Sequence, residues 1–407
     1  MNKDAKRLLE NFISIYSIQI VGMILPLITL PYVIKTLGFD KYGLIILASS
    51  LIAYFQSITD FSFRITATRD VAVFRDSPKK LNLIYSKVLT VKAIFLLVSF
   101  SLLTIIILVY PPFYKERLVF FLTMPMLLGY TLFPEWYFQG IEKMRYITIL
   151  NFSLKIFFTV CVFIFIKNKT DYWIYPLLQS AGSVGVGIIA QYILIKKHKL
   201  EFIWLPLKII KRTIVSNFPI FLTQFLPTLY NNTTTFLLGV LTTNNLLGIY
   251  SAIYTVVDIS ITLLHTISLV FFPFLNRKKE AFQKYKKLIF SLSFILVFGC
   301  ILFHPLVFWF LNITYKDALV VLCILSFGIL GIGMNDIFGT NYFIIKRDDK
   351  LVMYNTIIAS IMGLIFSFPL VYFFGIIGAA LNLTFSRLMM GGRLYYKYLS
   401  IKKGIIT

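Results

Sequence analysis

Six basic side chains fall inside apolar stretches of this sequence: Arg64, Lys87, Lys92, Lys155, Arg387 and Arg393. The acids in such stretches are Asp60, Glu135, Asp258 and Asp336, and His265 joins them. A Lys, Arg or Asp at the centre of a bilayer costs about 2.5–3.5 kcal/mol, so a chain that keeps one there has a use for it. Position along each stretch separates them. Lys92, Lys155 and Arg387 lie deepest, while Arg64, Lys87 and Arg393 lie near ends where a long stem reaches water. Deep cations offset their desolvation either by meeting a phosphate or carboxylate in a water-filled cavity or by pairing with a buried acid. Asp258 and His265 are seven residues apart, hence on one helix face, where they form either an ion or proton relay or a packing pair. Asp60, Glu135 and Asp336 are the further candidates for ion coupling or gating.

These residues must be held by helices. The 407 residues are 58% hydrophobic and only 14% charged, with mean hydropathy +0.82, and apolar runs of about 20 residues recur along the chain. Twelve spans are predicted, near 9–34, 42–63, 83–110, 118–138, 147–167, 173–195, 214–240, 247–275, 288–311, 319–345, 351–374 and 377–398. The formal charge of +23 is that of a membrane protein rather than a nucleic-acid binder, because of where it sits. With the N-terminus inside, 27 basic residues fall in cytoplasmic segments against 7 outside, which predicts both termini in the cytoplasm. The start, MNKDAKRLLENF, has no signal-peptide pattern, so the first span is expected to direct insertion.

The organisation predicted is an N-terminal six-helix lobe (1–195), a cytoplasmic linker (196–213) and a C-terminal six-helix lobe (214–407). ILPLITLPYVIKTLGFDKYGLIILASSLIAY in the first half matches FLPTLYNNTTTFLLGVLTTNNLLGIYSAIYTVV in the second, pairing Pro26 with Pro227 and Gly43 with Gly248. That is the pattern of a parallel repeat; two unrelated kinked helices are the alternative. GILGIGMNDIFGTNYF in span 10 predicts a loosened helix. Span 7 carries Pro219, Pro227, Asn231, Asn232 and three threonines, either lining a cavity or gluing helices. Cys161, Cys300 and Cys323 have no pairing or metal-ligand spacing. A Walker A loop, a nucleophile elbow and a loop long enough to fold as a domain are all missing from the sequence, so no enzyme chemistry is predicted.

One stretch stands out, LFPEWYFQGIEKMRY at 132–146, where an apolar run ends in a carboxylate and aromatics. PEWYFQGIEKMRY closely resembles the end of span 4 and its cytoplasmic turn in Wzx-type polysaccharide (O-antigen) flippases. These belong to the exporter superfamily that includes MATE drug antiporters and lipid II flippases. TLPYVIKTLGFDKYGLI, DFSFRITATRDVA and NNLLGIYSAIYTVV carry the same resemblance. It implies an all-α polytopic fold of two MATE-like lobes with alternating access, in the bacterial inner membrane. The implied cargo is an oligosaccharide repeat unit on undecaprenyl pyrophosphate, moved to the outer leaflet for O-antigen or related polysaccharide. The cationic cavity of that family implies substrate contact by Lys92, Lys155 and Arg387. Trp136, Tyr137 and Tyr146 would then lie at head-group level, with Glu135 pairing with Arg64 or another base across a cytoplasmic gate; a simple aromatic anchor with a solvated carboxylate is the alternative. H⁺ or Na⁺ coupling without a cofactor is expected, as are membrane lipids, a polymerase and a chain-length regulator as partners. The alternative is a cation-coupled drug antiporter of the same architecture, which would favour acids over bases in its cavity.

Overall fold

The computed structural model describes residues 3–402, and side chains from residue 20 onward except at 21, 227, 230 and 231. Pro227 and Asn231 of the repeat and span 7 readings thus lie outside the described side chains. Helices account for nearly all of the described chain, because backbone N–H and C=O groups in hydrocarbon must find partners within their own segment. In order they are α1 (Lys3–Asp60), α2 (Phe63–Phe74), α3 (Pro78–Val109), α4 (Pro111–Lys115), α5 (Arg117–Thr123), α6 (Pro125–Leu132), α7 (Glu135–Gly140) and α8 (Met144–Phe165). There follow α9 (Ile174–Lys196), α10 (Leu207–Leu241), α11 (Asn244–Arg277), α12 (Phe282–Leu302), α13 (His304–Leu311), α14 (Ala318–Met334) and α15 (Asp349–Lys402).

Among the described residues nine helical stretches are long and apolar enough to cross a membrane. Two of them, Gly22–Phe74 and Asp349–Lys402, run 53 and 54 residues, about 80 Å at 1.5 Å per residue against a hydrocarbon core of about 30 Å. Each is bent inside at a glycine with positive φ, Gly38 at 77° and Gly375 at 51°, a geometry that a side chain resists.

Span 4 departs from the single helix predicted over 118–138. It is three pieces, α5, α6 and α7, with Pro125 opening one and Pro134 preceding another. Proline lacks an N–H for the helix ladder, which interrupts it at both places, and Phe133 before Pro134 is pushed into extended geometry while Met124 before Pro125 stays helical. The linker is also shorter than its hydrophilic stretch: only 197–206 lacks helix, and α10 starts at Leu207. Span 10 is loosened as its glycines and Asn-Asp pair predict, with a π-helix over Asn335–Ile344 continuing α14.

The chain divides into two compact units, residues 1–25 with 48–228, and residues 26–47 with 229–407. In the first, α2 packs on α7 and α6 on α9 around a core that includes Phe61, Val71, Tyr85, Trp136, Phe138 and Leu194. In the second, α14 packs on α15, α12 and α11. There the repeat-related glycines meet. A Cβ on Gly43 would fall 1.8 Å from the carbonyl oxygen of Asn244, and one on Gly248 would fall 2.1 Å from that of Phe39. Each glycine therefore rests on the carbonyl four residues before the other, a reciprocal contact of the kind a local two-fold produces.

Candidate functional site

In the first unit the deep cations have different fates. Lys92, near the middle of α3, is buried and donates to Asp60 Oδ1 at 2.9 Å and to the Tyr130 carbonyl at 3.1 Å. Its charge is thus neutralised in place by the C-terminal end of α1. Lys155, midway along α8, is half-buried and forms no ion pair among the described residues. Its ammonium instead lies against the backbone of Gly22, where an added Cβ would sit 2.9 Å from Nζ.

The PEWYFQG motif turns out to be chiefly a packing device. Trp136, Tyr137 and Phe138 are buried in the protein core rather than presented to head groups, and a Cβ on Gly140 would strike Val71 at 2.6 Å. The aromatic-anchor reading of Trp136 and Tyr137 is corrected accordingly: the short α7, set off by Pro134, packs on α2, and both rings are buried in the core of this unit, that of Tyr137 against Phe138 and His198. Tyr146 is half-buried and stacks on Phe138 at 5.0 Å. Glu135 stays at the surface of this packing. Arg64 meets it at 3.3 Å, and Gln139 Nε2 donates to the same carboxylate at 2.8 Å.

In the second unit Arg387 is 5% exposed on α15. Its Nη2 donates to the Tyr254 hydroxyl at 3.2 Å, and its guanidinium carbon lies 5.4 Å from that ring's centroid. Tyr254 in turn donates to Asp258 Oδ1 at 3.2 Å, one turn further along α11. Nη1 of Arg387 is buried and has no hydrogen-bond partner among the described residues. A buried guanidinium N–H without an acceptor is costly, and an incoming anionic oxygen would remove that cost with a charge-assisted hydrogen bond.

Asp258 and His265 share a face of α11, yet they join different clusters. His265 Nδ1 lies 3.1 Å from Asp336, which is buried at the start of the π-helix. Asn341, a residue the sequence reading passed over, donates to Ser268 Oγ and to the Tyr285 hydroxyl, each at 2.7 Å, and to the Asp336 carbonyl at 3.1 Å. The π-helix makes this possible, since its wider turn frees main-chain carbonyls. An imidazole and a carboxylate at hydrogen-bond distance share a proton readily, which is the chemistry of a proton-coupled step. Tyr254 and Asn341 were missed because tyrosine and asparagine inside apolar runs look like packing residues, and Tyr130 because it contributes only a main-chain carbonyl, which residue type does not reveal. The spacing of Tyr254 one turn before Asp258 was the available signal.

Residues 8–277 match the family described as polysaccharide biosynthesis protein, about two thirds of the chain. The chain belongs to this family. It is similar to a protein of Escherichia coli (strain K12) named "Putative O-antigen transporter", with 27% identity and 94% of each chain covered. A protein of the same name from Shigella dysenteriae is 24% identical over 94% of this chain and 97% of that one. In fold, this member of the family is similar to an inward-facing multidrug resistance MATE family transporter of the MOP superfamily, with TM-score 0.74 and 13% identity over 96% and 98% of the two chains. The lipid II flippase MurJ in an inward closed conformation has TM-score 0.68 and 14% identity, over 96% and 87%. The polytopic MATE-like fold expected from the sequence is the fold observed.

Proposed function

We propose that this chain is not an enzyme but a flippase of the bacterial inner membrane. Its cargo is a lipid-linked oligosaccharide repeat unit, carried on undecaprenyl pyrophosphate. By alternating access it moves that unit from the cytoplasmic to the outer leaflet, for O-antigen or another surface polysaccharide. The family and the names of the two relatives support lipid-linked sugar transport. The observation that carries the cargo's chemistry is the unpartnered Nη1 of buried Arg387, a cationic donor waiting for an anionic oxygen. Lys155, without an ion-pair partner among the described residues, is the second contact in this reading, and Lys92 acts through its pair with Asp60. Twelve crossings in two lobes joined by the 196–213 linker, with both termini cytoplasmic, complete the architecture.

The drive is H⁺, transferred through His265 and Asp336, with Arg64–Glu135 as a cytoplasmic gate pair. A polymerase and a chain-length regulator are the partners that would consume the delivered unit. The experiment is translocation in proteoliposomes, in which purified protein exposes a labelled pyrophosphate-linked glycan to an enzyme on the far side. Protein-dependent exposure is the expected result. Transport of small cationic dyes without glycan exposure would overturn this reading in favour of a drug antiporter.

A further inference from the structure

Three segments of the first unit, the turn into α3 with its first residues at 75–82 and the loops at 141–143 and 197–200, close around a polar cavity of about 520 Å³. The distribution of basic residues places all three segments on the cytoplasmic side. Arg75, Lys143, Lys197, His198 and Lys199 line the cavity, with Asp76 as its acid. Arg75 is shared between Asp76 at 3.9 Å and Glu142 at 3.6 Å. Lys143, Lys197 and Lys199 are exposed and form no ion pair among the described residues. One wall is the His198 ring, set edge-on to Tyr137 and Tyr146 at 5.4 and 5.9 Å, with its Nε2 buried and lacking a hydrogen-bond partner. The strand of linker behind it is fastened down. Asn82 Oδ1 accepts from the Glu201 N–H at 3.1 Å, and Ser86 Oγ accepts from the Ile203 N–H at 2.8 Å.

The next residues fix the depth of this cavity. Phe202, Ile203, Trp204 and Leu207 are 40, 43, 88 and 82% exposed, an apolar row that water would penalise. Lys208, Lys211 and Arg212 follow at once and are exposed. Exposed Trp and Leu beside basic residues are the composition of a segment lying in the head-group layer. A polar, cationic cavity opening beside such a segment faces lipid phosphates rather than bulk cytosol.

We propose that this cavity binds the phosphate of an anionic phospholipid head group from the cytoplasmic leaflet. The lysines supply the charge, and the His198 imidazole in the cavity wall supplies an N–H to a phosphate oxygen. His198 serves as a built-in reporter. Burial, with Lys143 and Lys197 beside it, pushes its pKa down to about 4. A bound phosphate offsets both lysines and moves that pKa up. The site is independent of the cargo reading, because it needs only the membrane orientation and involves neither Arg387 nor Lys155.

The test uses the full chain in phosphatidylcholine nanodiscs with or without phosphatidylglycerol, and separately with inorganic pyrophosphate in solution. Retained lipid is counted by native mass spectrometry. The His198 imidazole is followed by NMR, its signal identified among the three histidines with His198→Gln. Phosphatidylglycerol is expected to be retained and to raise the His198 pKa by a unit or more. Lys143→Gln/Lys197→Gln/Lys199→Gln is expected to weaken retention at least tenfold, while the equally discharged Lys208→Gln/Lys211→Gln/Arg212→Gln weakens it less than threefold. A response to pyrophosphate with none to phosphatidylglycerol would overturn the lipid assignment. Equal losses in the two triple variants, or a His198 signal indifferent to lipid, would overturn the cavity itself.

Discussion

Lys92 and Asp60 form an ion pair of unequal halves: Nζ meets Oδ1 at 2.9 Å, but the lysine side chain is 4% exposed and the aspartate 41%. Removing each partner therefore has a different cost. Asp60→Asn strands a buried ammonium, and breaking a buried pair in that sense costs about 3–5 kcal/mol, with the lower end apt for an acid this exposed. Lys92→Gln leaves a carboxylate that water can reach, so its cost is smaller. Thermal unfolding in detergent should show Asp60→Asn as the least stable variant, with Lys92→Gln/Asp60→Asn recovering most of the loss. Equal losses for the two single variants would contradict this asymmetry.

Arg387 carries a distinct expectation for transport. If its Nη1 meets the anionic cargo, Arg387→Gln removes a charge-assisted hydrogen bond of about 1.5–3 kcal/mol, or roughly 10- to 150-fold in transport rate at low cargo concentration. Tyr254→Phe removes the hydroxyl that accepts from Nη2 and donates to Asp258, touches no charge, and should cost less than tenfold. Proteoliposome transport measures both. A Tyr254→Phe loss as large as that of Arg387→Gln would make the arginine structural instead.

For His265 and Asp336 the signature is coupling rather than rate. His265→Asn and Asp336→Asn each remove one end of a 3.1 Å pair. Both should leave exchange of cargo down its own gradient measurable while abolishing its acceleration by an imposed pH gradient. Retained acceleration in either variant would exclude the pair from proton transfer, and acceleration by a Na⁺ gradient would replace the ion.

Much of this was legible before the structure. The polytopic helical class followed from run length and the bends from local sequence, since TLGFDKY holds Gly38 at a positive φ and the π-helix sits where Gly and Asn-Asp crowd span 10. Depth along a span likewise found Arg387 and Lys92 buried. Depth says nothing of azimuth, and partner choice depends on azimuth. Lys92 facing Asp60, and His265 facing Asp336 rather than sharing a cluster with Asp258, are decided by which helices pack together. The PEWYFQG rings misled for the same reason: composition reads aromatics near a span end as interfacial, whereas α7 packs on α2 with its rings buried in the core.

His198 gives a pH dependence of stability whose sign is fixed. Its folded pKa of about 4 lies below the ordinary histidine value of 6.5, so between those values the unfolded state binds a proton that the folded state refuses. The contribution is constant above about pH 6.5 and is lost as pH falls toward 4. The fall in melting temperature between pH 7.5 and pH 5 should accordingly be smaller for His198→Gln than for the unaltered protein. An unchanged or larger fall would mean that the ring is solvated in solution.

The reciprocal contact of Gly43 and Gly248 makes the last prediction, and it turns on steric space rather than chemistry. A methyl at Gly43 would lie 1.8 Å from the Asn244 oxygen and 2.8 Å from the Gly248 nitrogen, both backbone atoms that cannot rotate aside. The helices must separate instead, and overpacking of this kind costs about 1–3 kcal/mol. Gly248→Ala meets the Phe39 carbonyl at 2.1 Å and should cost a similar amount. Because one separation relieves both clashes, Gly43→Ala/Gly248→Ala should lose clearly less than the sum of the single losses. Gly185→Ala sets the scale from the other side, since nothing lies within 4 Å of its added Cβ and alanine is the better helix former by about 1 kcal/mol. Melting temperatures in detergent should fall for the first two variants and rise or hold for the third. Strict additivity in the double variant would show two independent clashes and remove the symmetric contact as the reason these glycines occupy matching places in the two halves.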